Sequence, residues 1–556
     1  MEVPGIPELL AFGQGRPPSG TYDNGRWRVA EHINTVRMEE RPDGAKISAF
    51  FQRPHNYDQM IRASARRDPN AEAIVCGERR ITWKILDQLV DQVAGGLIEA
   101  GLIKGGRVAV MLDNRLEFVL AVLGCMRAGG VAIPLGTRLG SSEVGYIVGH
   151  AQPVIAVTMK AWASRFPLES SIARCFLVDA DEPEQRFDAL LVKSQSSLPE
   201  LHGDDPMMIM YTSGTTGKPK GVVLTHDNFI HTCLHYLYAL AIDEPQCSLL
   251  AVPATHIAGF GPLMSVTLAS GGTVVLMQEF DPRQVLDTIQ RERISYSVLV
   301  PAMVQLCATQ ADLAGYDLAS WRYCIYGGAI MPPAVIERFA AAIPGLRMIN
   351  AYGATETCAV CTIIPYEMTG DFPSSVGLSL QCDDIIVVDA DGKKLPAGES
   401  GELWIRGPNV FREYWSDEVA TSEAFCNGYW RSGDVGMKDE RGLIYVQDRI
   451  KDMINRGGYK VFSAEVEAAL MTHDAVVDCA VIGVPHPVLG EKTYAFVQVQ
   501  GERMGSDQLK TYLQARIADY KVPDFWSIGD IPMPRNQNGK LQKAELREKA
   551  LNLLKG

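Results

Sequence analysis

Positive charge is scarce in this chain: 53 lysines and arginines stand against 66 aspartates and glutamates, a formal net charge of −13 over 556 residues. That balance argues against general binding to nucleic acid or to an anionic membrane, which takes a basic face. It leaves room for an anionic ligand, which needs only a few local cations. A disulfide framework is also missing. The 12 cysteines are scattered as suits reduced thiols in a cytoplasm. Cys358-Ala-Val-Cys361 has no second pair or histidine pair to complete a metal site, so it reads as two small residues on a strand. No basic-then-apolar leader opens the sequence, and no low-complexity tract interrupts it. The uncharged run at residues 257–277 is long enough to cross a bilayer, but Gly259, Gly261, Pro262 and Ser270-Gly271-Gly272 break it. It reads as a buried helix, a turn and a buried strand, and no transmembrane segment is expected.

A chain of this length holds more than one hydrophobic core, so at least two domains are expected. Thr82 is placed to cap a helix with Leu86, Leu89, Val90, Val93, Leu97 and Ile98 on one face. Beyond it, buried strands at 107–112, 131–134, 251–253, 272–276, 296–300 and 322–326 alternate with helices such as 116–126. This alternation implies a layered α/β architecture with largely parallel sheets. From about Ser374, short strands at 384–388 and 401–405 mark a small β-rich module. A compact stretch then runs to the end, with helices at 464–471 and 507–517 and strands at 480–483 and 495–499. The expected organisation is α/β. A large N-terminal domain, residues 1–450, holds layered α/β subdomains and the β-rich module, and a small mobile α+β domain, residues 451–556, follows. Residues 1–55 carry no assignable function.

The most informative segment is Tyr211-Thr-Ser-Gly-Thr-Thr-Gly-Lys-Pro-Lys-Gly221, set between the apolar runs 207–210 and 222–224. Its glycines let backbone N–H groups turn toward an anion, its four hydroxyls can donate to phosphate oxygens, and Lys218 and Lys220 add charge. It is not a Walker loop. Thr212 and Pro219 stand where that motif needs Gly and Ser or Thr, and Pro219 spoils the helix start such a loop relies on. A solvated surface hairpin would be the plainer reading, but hairpins seldom gather so many hydroxyls beside lysines.

This loop resembles the signature loop of the adenylate-forming superfamily, which includes acyl-CoA synthetases, luciferases and the adenylation domains of peptide synthetases. Further segments extend the resemblance from roughly Tyr57 to the C-terminus. It implies ATP binding by Thr212, Ser213, Gly214, Thr215, Thr216, Gly217, Lys218 and Lys220. Asn350-Ala-Tyr-Gly-Ala-Thr-Glu356 is similar to the family's acidic loop. There the resemblance implies that Asn350 reads the adenine amino edge, Tyr352 stacks on the base beside Gly353, Thr355 donates to the α-phosphate and Glu356 offers a hard oxygen to Mg²⁺. Gly327, Gly328 and Ala329 would form part of the adenine and acyl wall. Trp430-Arg-Ser-Gly-Asp434 resembles the ribose-binding turn, with Arg449 as the second ribose contact, although the family usually has Gly where Asp448 stands.

Lys451 matches the hinge of the small domain. Asn455-Arg456-Gly457-Gly458-Tyr459-Lys460 resembles the loop that borders the thiol channel, with Gly457 and Gly458 giving room for the thiol arm. Pro534-Arg-Asn-Gln-Asn-Gly-Lys540 resembles the loop of the catalytic lysine. An ammonium there offsets the charge that builds as a carboxylate attacks the α-phosphorus. His256 is expected at the mouth of the acyl pocket as a third catalytic group beside Lys540 and Thr355, and a satisfied core histidine is its competitor. Gly259, Phe260, Val300 and Gly327 are expected on the pocket wall. The apolar lining suits a small-molecule carboxylic acid with a hydrophobic body, whether fatty, aromatic or alicyclic.

The resemblance therefore implies an AMP-forming acyl- or aryl-CoA ligase that uses ATP, Mg²⁺ and coenzyme A. Little chain follows the Lys540 loop, so a carrier protein loaded by a stand-alone adenylation enzyme would be a separate molecule. Luciferase-type oxidation and a non-catalytic nucleotide sensor would suit the same fold; retention of Lys540 speaks against the sensor. Nothing in the sequence speaks against a homodimer.

Overall fold

The computed structural model describes residues 22–23, 26–27, 35–41, 44–193, 197–212, 218–310, 312–328, 331, 333–499, 504–530, 533–535 and 541–555. Two sheets built from short apolar strands dominate the large domain. In one, Glu72–Cys76, Thr273–Leu276, Cys247–Leu250, Tyr296–Leu299, Tyr323–Tyr326 and Arg347–Tyr352 lie side by side, all parallel. In the other, the parallel strands Arg174–Leu177, Ile155–Thr158, Arg107–Val110, Val131–Pro134 and Pro206–Thr212 end in the antiparallel Lys220–Thr225. Their runs are mostly apolar and buried because both faces of a parallel sheet are covered. Trp83, Phe118, Phe229 and Phe260 belong to the same core. The predicted helix is Trp83–Glu99, and the Thr82 side chain accepts from the Ile85 N–H as an N-cap.

After these layers comes an antiparallel sheet of Asp384–Val388, Ser400–Arg406, Phe425–Cys426, Tyr429–Lys438 and Ile444–Arg449, the β-rich module. Past Lys451, the hairpin Val476–His486/Gly490–Val499 organises a last sheet. Apolar clusters lie around Val466 and Leu509 and around Phe496 and Leu546. Among the described residues no helix is long and apolar enough to cross a membrane, and residues 257–277 form helix, turn and strand as read.

Two local expectations fail. The strand anticipated at 251–253 is instead Cys247–Leu250. Asn114 ends it early: its Nδ2 donates to the carbonyls of Leu250, Val252 and Met277 at 3.1, 3.0 and 2.9 Å, and its Oδ1 accepts from the Ala254 N–H at 2.8 Å. One buried side chain thus satisfies backbone groups that a ladder would otherwise need. Cys358-Ala-Val-Cys361 is not on a strand either, for Cys358 and Ala359 have φ of 47° and 90° and form a turn. No group of three or more His, Cys, Asp or Glu that could hold a metal occurs among the described residues.

The segment without an assignable role makes a hairpin, Val36–Glu40/Lys46–Phe50. Phe50, fully buried, meets His231, His235 and Tyr238 at ring-centroid distances of 5.9, 5.3 and 5.1 Å. Arg53 pins the hairpin to the helix His226–Ala239 through Glu39 at 2.8 Å and Asp227 at 3.6 Å. Burial pulls His226 down to about 4 and His231 to about 3, and lowers His235 as well. His231 Nε2 and His235 Nδ1 have no hydrogen-bond partner among the described residues.

An unfolded histidine titrates near pH 6.5, so the unfolded chain takes up protons first as pH falls. The stability these neutral imidazoles contribute is therefore full above about pH 6.5 and is lost toward pH 4. Urea unfolding from pH 7.5 to 5 should show it. His231→Asn should lessen the slope of unfolding free energy against pH by up to about 1.4 kcal/mol per pH unit. Equal slopes would contradict this account.

Candidate active site

The carboxyl end of the strand Arg347–Tyr352, the hairpin Pro206–Thr212/Lys220–Thr225 and the module strands Tyr429–Lys438 and Ile444–Arg449 meet at one place. Asp434 and Arg449 face each other in antiparallel register. Arg449 Nε lies 2.8 Å from Asp434 Oδ1, and the Tyr352 hydroxyl donates to Asp434 Oδ2 at 2.5 Å. The carboxylate is buried, 3% exposed. Its backbone is pinned too: Ser432 Oγ accepts from the Asp434 N–H at 3.0 Å and donates to the Leu403 carbonyl at 2.7 Å. Burial, then the Asp434 charge, pushes the Tyr352 hydroxyl well above its ordinary value, so it stays a donor. The Asp434 carboxylate keeps lone pairs for further hydroxyl donors.

Glu356 stands in the one-turn helix Thr355–Thr357, half-buried together with Thr355. Its Oε1 accepts from the Tyr414 hydroxyl at 3.1 Å. Burial raises its pKa, and no described cation forms an ion pair with it. A carboxylate in that state suits a divalent cation. Mg²⁺ is commonly held by one or two carboxylates plus substrate phosphates, so a lone Glu356 fits such an ion. Tyr414 was not anticipated. Residues 413–415 run beside the phosphate hairpin, with Trp415 N–H donating to Gly221 at 2.7 Å and Val223 N–H to Glu413 at 3.1 Å. Lys220 Nζ lies 4.8 Å from the Tyr414 ring centroid. Tyr414 thus joins the hairpin to the acidic loop, and no local pattern in Arg-Glu-Tyr-Trp announces that.

Around these groups, Asn350 Nδ2 donates to the Ser375 carbonyl at 3.1 Å, which orients the amide and leaves Oδ1 as the acceptor for an amino group. Gly327 and Gly353 are pressed on backbone: a Cβ at either would lie 2.2 Å from the carbonyl oxygen of Ala351 or Ala359. Gly328 is exposed, with φ of 80°. Thr212 is half-buried at the end of its strand, and Lys218 is exposed, its Nζ 5.9 Å from the Tyr146 ring centroid. Ser213, Gly214, Thr215, Thr216, Gly217, Ala329 and Lys540 lie outside the described residues.

His256 is half-buried just before a helix whose residues Gly259–Ser265 are π-helical. Such a widened turn occurs often at functional sites. Burial pulls the imidazole down to about 4, so it is neutral at pH 7. Val300 is half-buried at the end of its strand. Phe260 departs from the expected wall position: it is fully buried, edge-on to Phe229 at 5.3 Å, one layer behind. Gly259 is buried beside it, close to the Pro253 carbonyl.

Lys451 is an exposed turn residue between Ile444–Arg449 and Ile454–Arg456. Gly457 and Gly458, with φ of 63° and 92°, form the exposed tip of a hairpin, the arrangement two adjacent left-handed residues give. No described atom lies within 4 Å of a Cβ built at Gly458. Asp448, where Gly was expected, accepts from Ser463 Oγ at 2.7 Å and so reaches the start of the helix Ser463–Met471 beyond the hinge position.

Residues 61–415 match the family model for AMP-binding enzymes, and residues 465–540 match the model for the C-terminal domain of AMP-binding enzymes. The chain is 34% identical over 486 residues to a feruloyl-CoA synthase of Amycolatopsis, covering 87% of this chain and 97% of that one. It is 32% identical over 505 residues to a long-chain fatty-acid CoA ligase of Mycobacterium tuberculosis, covering 89% and 98%. It superposes on o-succinylbenzoate CoA synthetase from Bacillus subtilis in complex with an acyl-adenylate intermediate, with a TM-score of 0.80, 28% identity and coverage of 88% and 97%. The same enzyme with ATP and magnesium ion gives a TM-score of 0.78 at 28% identity, covering 88% and 98%. With its large α/β domain and small C-terminal domain, this chain belongs to the AMP-binding, adenylate-forming family of ligases.

Proposed function

We propose that the protein activates a carboxylic acid with ATP to an acyl-adenylate and pyrophosphate, then passes the acyl group to coenzyme A with release of AMP. The observation that carries this reading is the meeting of Tyr352, Asp434 and Arg449 with Glu356, whose pKa burial raises, at the strand ends. That arrangement supplies a base platform, a hydroxyl acceptor and a cation ligand side by side. The names of the relatives support coenzyme A as acceptor and Mg²⁺ as the ion.

In this reading Asp434 accepts from the ribose hydroxyls, and residues 212–217 with Lys218 and Lys220 hold the phosphates. Mg²⁺, when bound by Glu356, neutralises phosphate charge. Thr355 donates to the α-phosphate. Lys540 meets the incoming carboxylate and the phosphate together, an attraction that grows as charge shifts onto the oxygens. The neutral His256 guards the pocket mouth without adding a charge that would hold the carboxylate back. Rotation of residues 451–556 about Lys451 then exchanges the Lys540 loop for the Gly457-Gly458 turn and opens the thiol's path.

With an accepted acid, ATP should be converted to AMP and pyrophosphate only in the presence of that acid, and thioester should form only when coenzyme A is added. ADP and inorganic phosphate as products would overturn the reading.

The two half-reactions should separate by mutation. Lys540→Ala should slow adenylate formation by about two to three orders of magnitude and spare thiol transfer from supplied acyl-adenylate. Gly458→Leu, which puts a bulky side chain on a left-handed residue at the hairpin tip, should do the opposite. Acid-dependent pyrophosphate exchange and thioester yield measure the two steps. Equal loss of both in either variant would count against the alternating-domain mechanism.

A further inference from the structure

Away from the adenylate site, a cleft of about 470 Å³ is lined by Arg41, Lys46, Arg406 and Arg412 together with Phe425 and Asn427. Its walls come from the turn of the hairpin Val36–Glu40/Lys46–Phe50, from the end of the strand Ser400–Arg406, and from the turn between Phe425–Cys426 and Tyr429–Lys438. Four of its lining residues are basic and none is acidic, in a chain whose acidic residues outnumber its basic ones by 66 to 53. Like charges gathered on one concave surface repel each other and focus a positive field into it, which an anion relieves.

Two of the cations are held from outside the cleft. The Arg406 guanidinium lies 4.3 Å from the Tyr429 ring centroid and donates to Asp384 Oδ2 at 3.1 Å. Arg412 donates to Asp204. Neither carboxylate lines the cleft, and each bond engages only part of a five-donor guanidinium. Lys46 is exposed and forms no ion pair among the described residues, Glu40 opposite it in the hairpin included. Gly44 and Gly428, with φ of 79° and 77°, also line the cleft and close its two turns without side chains. Phe425, half-buried with its ring 5.1 Å from that of Phe411, supplies the aromatic part of the wall.

The cleft is separate from the nucleotide site. Asp204 precedes the seven-residue strand Pro206–Thr212, whereas the phosphate loop follows its other end, roughly 20 Å away at about 3.3 Å per residue. The hairpin wall also stands ahead of residues 61–415, the span shared with AMP-binding enzymes.

We infer that this cleft binds a small organic phosphate, with the phosphate held by Arg41, Lys46, Arg406 and Arg412 and an apolar body laid against Phe425. Arginine forks match phosphate oxygens in geometry and charge, and the Asn427 amide adds a neutral donor. The volume is that of a small-molecule site. The inference does not depend on the adenylating role.

Phenyl phosphate and inorganic phosphate test it, each titrated by calorimetry into protein loaded with one equivalent of a non-hydrolysable ATP analogue. Phenyl phosphate should bind once per chain and several-fold tighter than inorganic phosphate, because its ring is buried as well. Lys46→Gln and Arg412→Gln should each weaken it by about tenfold, the loss of one charge-assisted hydrogen bond. Lys46 is exposed, so its variant keeps the fold. Absence of binding, or unchanged binding in either variant, would overturn the inference. Loss of binding on loading with the ATP analogue, or displacement by one equivalent of coenzyme A, would assign the phosphate to the sites of the ligase reaction and overturn it too. Equal binding of inorganic phosphate would overturn the role given to Phe425.

Discussion

After the strand Arg347–Tyr352 the chain reverses through residues 353–361, using two residues other than glycine at positive φ, Cys358 and Ala359. Such conformations cost on the order of 1–3 kcal/mol each and persist only where the surroundings hold them. Here they are held from several sides. Thr232 Oγ1 and Asn409 Nδ2 donate to the carbonyls of Cys358 and Thr357 at 2.9 and 3.1 Å, and the Phe411 N–H donates to the Glu356 carbonyl at 2.8 Å. Gly353 is pressed onto the Ala359 carbonyl, where no side chain fits. The same turn carries Thr355 and Glu356 in its one-turn helix, so this constraint fixes where both side chains start.

Electrostatics follow from that placement. The chain as a whole is acidic, yet each carboxylate at the site has its own local treatment. Asp434 is buried and paired with Arg449 and the Tyr352 hydroxyl, as a buried acidic group must be to be tolerated. Glu356 receives one hydroxyl and no described cation, and burial raises its pKa. The first group is complete as it stands, whereas the second is left with capacity for a cation. Lys218 and Lys220 lie near the rings of Tyr146 and Tyr414, and Tyr414 ties the hairpin Pro206–Thr212/Lys220–Thr225 to Glu356.

Burial also explains why the hairpin before residue 55 matters to the large domain. Phe50 closes the polar end of a core that holds two neutral histidines whose outer nitrogens find no partner among the described residues. Composition around it gave no hint of a plug, because its partners lie roughly 180 residues farther along in the helix His226–Ala239.

Periodicity and pattern carried most of the architecture in the sequence itself. The Thr82 cap, the apolar strands at 107–110 and 296–299, and the antiparallel module at 384–406 are local decisions, made by propensity and by the spacing of neighbours. The family was legible for a related reason: phosphate, ribose and metal recognition each need particular side chains at close spacing, so those segments keep their pattern. What lay beyond the sequence depends on partners distant along it. Asn114 ends a strand 136 residues away, Tyr414 reaches Glu356 across 58 residues, and Asp448 reaches Ser463 past the hinge position. Phe260 shares an apolar run with Ile257, yet Phe260 packs edge-on to Phe229 in the core while Ile257 is only half-buried. The sequence by itself determined which chemistry the chain can hold, because that depends on residue types in short loops. Tertiary structure alone decided which distant side chains meet, because Asn114, Tyr414 and Asp448 find their partners on separate elements.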